Sequence, residues 1–166
     1  QMCIRDRFSV IMIAFTAGIF AQSTDTEQTT ATAVIVGPLA LTKVSDMDFG
    51  TIATTGTAGD VVLATDGTRT PTGVALVGAA TGTPASFTVN GEASRAFTVT
   101  LPADGDVSLI NGANTMPANS FNHNAPAQLD GGGAAAFTVG ATLVVGAAQA
   151  PGTYTSANFP VTVNYN

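Results

Sequence analysis

From Thr32 to its last residues the chain alternates apolar and polar side chains, and this two-residue period constrains the fold more than any other feature. Phe87-Thr88-Val89, Phe97-Thr98-Val99-Thr100-Leu101 and Phe137-Thr138-Val139 each put apolar residues on one face and threonine on the other. Phe159-Pro160-Val161-Thr162-Val163-Asn164-Tyr165 carries the same alternation to the carboxy-terminal end. β-Branched and aromatic residues at this spacing suit a half-buried strand, whose successive side chains point to opposite faces. Between the runs stand Asp66-Gly67, Asn90-Gly91, Asp104-Gly105, Asn111-Gly112 and Asp130 to Gly133. Such pairs favour tight turns because glycine accepts positive φ without a steric penalty. No stretch long enough for a helix shows a 3.6-residue period. Many short strands with this punctuation predict an all-β chain, an antiparallel β-sandwich, immunoglobulin-like or pilin-like, in a single domain. The recurring Phe-Thr-Val has no fixed spacing, so it marks similar strands rather than repeats.

Charge is scarce for such a chain. Only 10% of the residues are charged, against roughly 25% in ordinary soluble domains. Coiled coils and helical bundles need far more Glu, Lys and Arg on their solvated faces, so both are excluded. The net charge of −6 argues against a nucleic-acid partner, since contact with phosphate calls for the opposite sign. A single cysteine rules out a disulfide scaffold.

Residues 1–21 follow a different order. Arg5 and Arg7 precede Phe8 to Phe20, which holds no charge, and Ala21 stands before the polar Gln22-Ser23-Thr24-Asp25. This is the layout of a secretory signal peptide, with an apolar run too short to span a bilayer comfortably. Cleavage near Ala21 is expected, leaving no membrane attachment and no cysteine. Residues 22–30 read as a flexible polar tail and residues 31–166 as the β-sandwich domain.

Nothing in the remainder points to catalysis. His123 is the only histidine and lies among polar residues, and no Gly-x-Ser-x-Gly elbow is present. With neither a second histidine nor a cysteine in the mature chain, zinc has no ligand set. Asp46-Met47-Asp48 and Asp104-Gly105-Asp106 cluster carboxylates as calcium ligands do, yet neither has the spacing of a calcium loop. The first pair reads more simply as a cap on a strand over Phe49–Ala53. The expectation is a protein that is not an enzyme and has no cofactor, no metal and no catalytic residues.

The two ends carry the remaining signal. Gly152, Phe159, Val161, Val163 and Tyr165 make a candidate assembly strand, with alternation reaching the penultimate residue. Ala31, Ala33, Val34, Ile35 and Val36 make a second candidate, read either as a strand donated to another molecule or as this chain's own first strand, Thr32 to Val44, kinked at Gly37-Pro38. As a donated strand, either Ala31, Ala33 and Ile35 or Thr32, Val34 and Val36 would form the inserted face.

A glycine fourteen positions before the last residue, alternating apolar residues and a penultimate aromatic resemble the terminal strand of chaperone–usher pilus subunits. Across Thr32 to Asn166 the sequence also resembles the exported bacterial domain-of-unknown-function 4402 family. That likeness rests on Pro38-Leu39-Ala40-Leu41-Thr42-Lys43, Asp46-Met47-Asp48-Phe49-Gly50, Gly67-Thr68-Arg69 and Ala85 to Gly91. It continues through Phe97 to Pro102, Val139 to Leu143, Gly152-Thr153-Tyr154 and Val161 to Tyr165. The Asp-x-Asp-Phe-Gly stretch is similar to one in spore-coat-U-like pilins. The likeness to pilus subunits implies an incomplete sandwich, paired first with a periplasmic assembly chaperone and then completed by a neighbour's amino-terminal extension. It implies a secreted or cell-surface location, reached through the periplasm of a Gram-negative bacterium, and self-association into fibres. Many pilins carry a disulfide, which this mature chain cannot form. The other expectation is a self-complete monomeric sandwich that binds carbohydrate or matrix material.

Overall fold

The computed structural model describes residues 24–166, and the segment read as a signal peptide lies outside them. Among the described residues every regular element is a strand. The chain divides after Val34. Residues 24–34 form no strand and are exposed.

From Ile35 onward the strands are β1 (Ala40–Ser45), β2 (Thr51–Thr54), β3 (Gly59–Leu63), β4 (Arg69–Thr72), β5 (Val74–Val77), β6 (Ala85–Asn90), β7 (Phe97–Thr100), β8 (Val107–Asn111), β9 (Asn114–His123), β10 (Ala134–Val145), β11 (Thr155–Ser156) and β12 (Thr162–Tyr165). The main sheet is antiparallel with the order β1-β6-β10-β9-β8-β11, and β3 and β4 join it alongside β10. Two further pairs, β7 with β12 and β2 with β5, are antiparallel as well. This is the expected all-β, sandwich-like arrangement in a single strand-built domain.

β10 organises the core. Its first half pairs with β6, with Phe137 opposite Phe87, and its second half pairs with β3, with Leu143 opposite Val61. Gly140 sits where the partner changes. A Cβ there would collide with the Leu63 carbonyl, so only glycine lets the two backbones approach. On the other edge β9 follows with a register shift beside the same glycine, the irregularity that bends a strand.

Two apolar clusters result. Val61, Leu63, Val74, Met116, Leu143 and Val145 are buried in one. The other gathers Phe87, Val89, Phe97, Leu129, Phe137 and Val139, so the three Phe-Thr-Val runs converge on it. Within it the Phe87 and Phe137 rings stack at 5.4 Å. The threonines between them are partly or fully solvated. Period two thus decides which side chains meet.

Arg69 is the exception to an apolar interior, being only 4% exposed. Its guanidinium donates to the carbonyls of Phe49 (2.7 Å), Thr51 (3.3 Å) and Ala79, tying the entrance of β2 to the loop after β5. No carboxylate is among these partners. Gly50 takes φ +69° directly against the guanidinium, where a Cβ would clash with it. That left-handed residue also delays the strand expected from Phe49, which starts at Thr51 instead. The capping expectation holds in modified form, since the Asp48 carboxylate accepts the Gly50 amide at 2.7 Å.

Aspartates also fix two turns. The Thr68 amide donating to Asp66 holds its carboxyl below the usual carboxylate range, and the Ala134 and Gly132 amides do the same for Asp130.

The reading of Thr32 to Val44 as one kinked strand and the extent of the carboxy-terminal strand both differ from expectation. Strand pairing begins at Ala40, not at Thr32, so the first strand is confined to the part after Pro38. Pro38 has no amide donor for a ladder, which favours starting the strand beyond it. At the other end only Thr162–Tyr165 is strand, and Phe159-Pro160-Val161 is not. Pro160 lacks a donor there too, and pairing with β7 is established only after it.

Candidate functional site

An open cavity of about 710 Å³ enters the sandwich between β1 and the chain that leads into β12. Leu41, Lys43, Asp46 and Met47 form one wall. Phe87 of β6, Val107 and Leu109 of β8, and Ala118 and Phe121 of β9 reach it from the main sheet. Tyr154 to Val161 form the opposite wall. This last stretch leaves β11, which pairs with β8, and then passes to β12, which pairs with β7.

Pairing explains why the seam is open. Among the described residues, β1 has only β6 as a strand neighbour, β11 only β8 and β12 only β7. Ala157–Val161 carries no strand. Of the strands that line the seam, β1 and β11 therefore each have a backbone edge without a strand partner, whereas β6, β8 and β9 are paired on both sides.

Of the candidate assembly strand, Phe159 and Val161 line this wall, and Gly152, Val163 and Tyr165 do not. Phe159, Val161, Val163 and Tyr165 are all half-buried, with the residues between them exposed, so the alternation is correct although only part of the run is strand. Phe159 packs against Phe121 at 5.4 Å and lines the cavity with Val161. Val163 faces Val99 across the ladder, and Tyr165 accepts a hydrogen bond from the Glu92 amide at 2.7 Å. Gly152 lies apart, exposed in the loop before β11. Of the second candidate, Ala31, Ala33, Val34 and Ile35 are exposed and Val36 is half-buried. Val34 and Ile35 are 79% and 94% exposed, the highest values among the large apolar residues.

Lys43, Asp46, Tyr154, Thr155, Ser156 and Asn158 are the polar residues at the cavity. Lys43 and Asp46 form an exposed ion pair at 2.6 Å. The Tyr154 hydroxyl donates to the Ala150 carbonyl and accepts from Gln149 Nε2, both at 2.8 Å. Elsewhere the residues weighed for metal binding serve the backbone. Asp104 accepts the amide of Ser120, which sits at φ +53°, and Asp106 accepts that of Ala103. His123 Nδ1 accepts the Ala125 amide at 3.1 Å, and its ring lies edge-on to Phe137. Among the described residues no three His, Cys, Asp or Glu side chains gather as a metal site. The cavity thus combines aromatic and aliphatic side chains from the main sheet with polar residues of the chain between Tyr154 and Asn158.

An incomplete sandwich was expected only from the likeness to pilus subunits, and which residues line the seam was not read from the sequence beyond Phe159 and Val161. The strand Val107–Asn111 beside it was not among the runs read from the sequence. Arg69 was visible only within Gly67-Thr68-Arg69 of the family likeness, with no buried role read for it.

A family model for a domain of unknown function, DUF4402, matches residues 39–165. The match begins at Leu39, so the apolar segment through Val36 lies before it. No curated protein and no solved structure matches the chain.

Proposed function

The chain belongs to the DUF4402 family, and from that premise we propose that it is an exported, non-catalytic structural subunit that assembles into surface fibres by strand pairing between copies. The observation that carries this reading is the open seam between β1 and Ala157–Val161, lined in part by Leu41, Phe87, Leu109, Phe121 and Phe159, where β1 and β11 each have one strand partner among the described residues. The occupant is the segment Thr30–Val36 of a second copy. Before assembly, a periplasmic chaperone strand covers the same edges.

Length and charge support this pairing. Thr30–Val36 and the wall Leu41–Met47 are of equal length in residues, and an extended strand of that size spans about 23 Å. The donated segment has no charged residue, and the only charges at the cavity, Lys43 and Asp46, neutralise one another. Main-chain hydrogen bonds to an unpaired edge give strength, and alternate side chains filling the slot give selectivity. Burying two or three apolar side chains contributes roughly 1.5–3 kcal/mol each, offset in part by the conformational entropy lost when the tail is ordered. An unprotected edge of this kind otherwise invites uncontrolled association, so a dedicated partner strand also serves as protection.

The test is assembly itself. Purified protein is expected to form filaments visible by electron microscopy, and deletion of residues 22–36 is expected to leave monomers on a sizing column. Val163→Asp with Tyr165→Asp is expected to abolish filaments while export continues. A parent protein that is monomeric and indifferent to the deletion would overturn the fibre reading in favour of a self-complete binding domain, for which a glycan array is the next measurement.

A further inference from the structure

We propose that Ala157–Phe159 is a strap with two seats. One is the seat seen here, with the Phe159 ring on Phe121 at the large cavity. The other is zipped onto the unpaired end of the β8 edge, once that ring contact is lost. This goes beyond strand donation, since it describes the unassembled chain.

β11 leaves β8 early. Its ladder pairs Thr155 with Ile110 and Ser156 with Leu109 and then stops, although β8 begins at Val107. Continued in register, the ladder would set Ala157 opposite Ser108 and Asn158 opposite Val107. In place of that pairing lies an open gap of about 210 Å³, with Asp106–Ser108 on one side and Ser156–Phe159 on the other. Among the described residues, no backbone hydrogen bond involves Asn158, Phe159, Pro160 or Val161. The strap therefore has an edge beside it, room to reach it, and little in its own backbone to break first.

Phase explains why it stands off. Tyr154 and Ser156 are half-buried while Thr155 and Ala157 are exposed, so β11 turns its even-numbered residues inward. Phe159, Val161, Val163 and Tyr165 are half-buried, so the run into β12 has the opposite phase. Continuing the β8 ladder would turn Phe159 outward, because successive side chains point to opposite faces. Burial of the Phe159 ring thus opposes further ladder pairs, and removing the first leaves the second. Pro160 lacks an amide donor and limits the zipped length to the residues before it. An occupant of the large cavity that displaces the ring biases the strap toward β8, since a ligand shifts a two-state element by its differential affinity.

The experiment is amide hydrogen exchange in the unassembled full chain, read at Ala157 and Asn158. In the parent both amides are expected to exchange rapidly, as unpaired backbone does. Phe159→Thr and Phe121→Ala each remove the ring contact and are expected to slow this exchange by roughly tenfold or more. Adding Ala157→Pro to Phe159→Thr is expected to cancel the gain at Asn158, since proline cannot donate to a ladder. Saturating benzene, a probe that a cavity of about 150 Å³ holds, is expected to slow exchange in the parent as well. Protection already present in the parent, exchange left unchanged by both ring variants, or a gain that survives Ala157→Pro would overturn the second seat. A gain in the variants without one in benzene would overturn the coupling to an occupant and keep the second seat. Strand donation stands apart from these outcomes, being read by filaments and by deletion of residues 22–36.

Discussion

β10 and the run Phe159–Tyr165 are written in the same two-residue code but reach different ends. Phe137, Val139, Leu143 and Val145 of β10 are buried, with β6 or β3 along one edge and β9 along the other. Phe159, Val161, Val163 and Tyr165 alternate as regularly, yet none is more than half-buried, and β12 has a strand on one side only. Alternation thus determines which face a side chain takes, and the number of neighbouring strands determines how deeply it is buried. A run with strong alternation and shallow burial therefore marks the edge of the sandwich and not its centre.

Removing side chains from the two runs should separate these effects. Leu143 is 1% exposed, so Leu143→Ala should cost about 2–5 kcal/mol in denaturant unfolding of the monomer, the lost transfer energy plus the cavity left behind. Val161→Ala, at a half-buried position on the seam, should cost less than about 1 kcal/mol in the same measurement, yet lower assembly. Equal monomer costs at the two sites would break the comparison, because the seam would then already be a finished core.

Arg69 sharpens it from another direction. Along β10 the backbone groups are met by strands, whereas the carbonyls of Phe49, Thr51 and Ala79 are met by one guanidinium. Arg69→Met should lower stability by about 2–3 kcal/mol, because it leaves buried acceptors without a donor. Hydrogen exchange should show the loss of protection at β2 and β5, with β7 and β12 unchanged. Arg69→Lys should recover little, since one ammonium on a flexible stem does not reproduce a planar fork reaching several carbonyls.

How far all this was legible in the sequence depends on the range of the interaction. Period two placed Phe87, Phe97, Phe137 and Val139 on inward faces, because face choice is local. The prolines bounded what the sequence could promise. Pro38 and Pro160 each mark where an apparently continuous run stops being a strand, since a residue without an amide donor weakens the ladder at that point. The lining of the seam was legible only at Phe159 and Val161, as the rest arises from partners far apart in the chain, β1 at one end and Tyr154–Val161 at the other. Arg69 was hidden for the same reason, because its acceptors lie ten to twenty residues away on other elements.

The smallest expected effect concerns turns rather than strands and tests whether β10 owes anything to how it is entered. The Ala134 and Gly132 amides donate to the Asp130 carboxylate directly before β10, which holds its pKa below the usual range. A carboxyl whose folded pKa is depressed contributes stability above its unfolded value, near about 3.9, and loses it as the pH falls through the lower folded value. Asp130 is fully exposed, so solvent screening keeps the effect small. In Asp130→Asn the thermal midpoint should lie slightly below the parent's at about pH 7, and the gap should close as the pH is lowered to about 2.5. A gap that widens on acidification would mean that the neutral carboxyl is the favoured form, and the turn into β10 would then be held by something other than these amides.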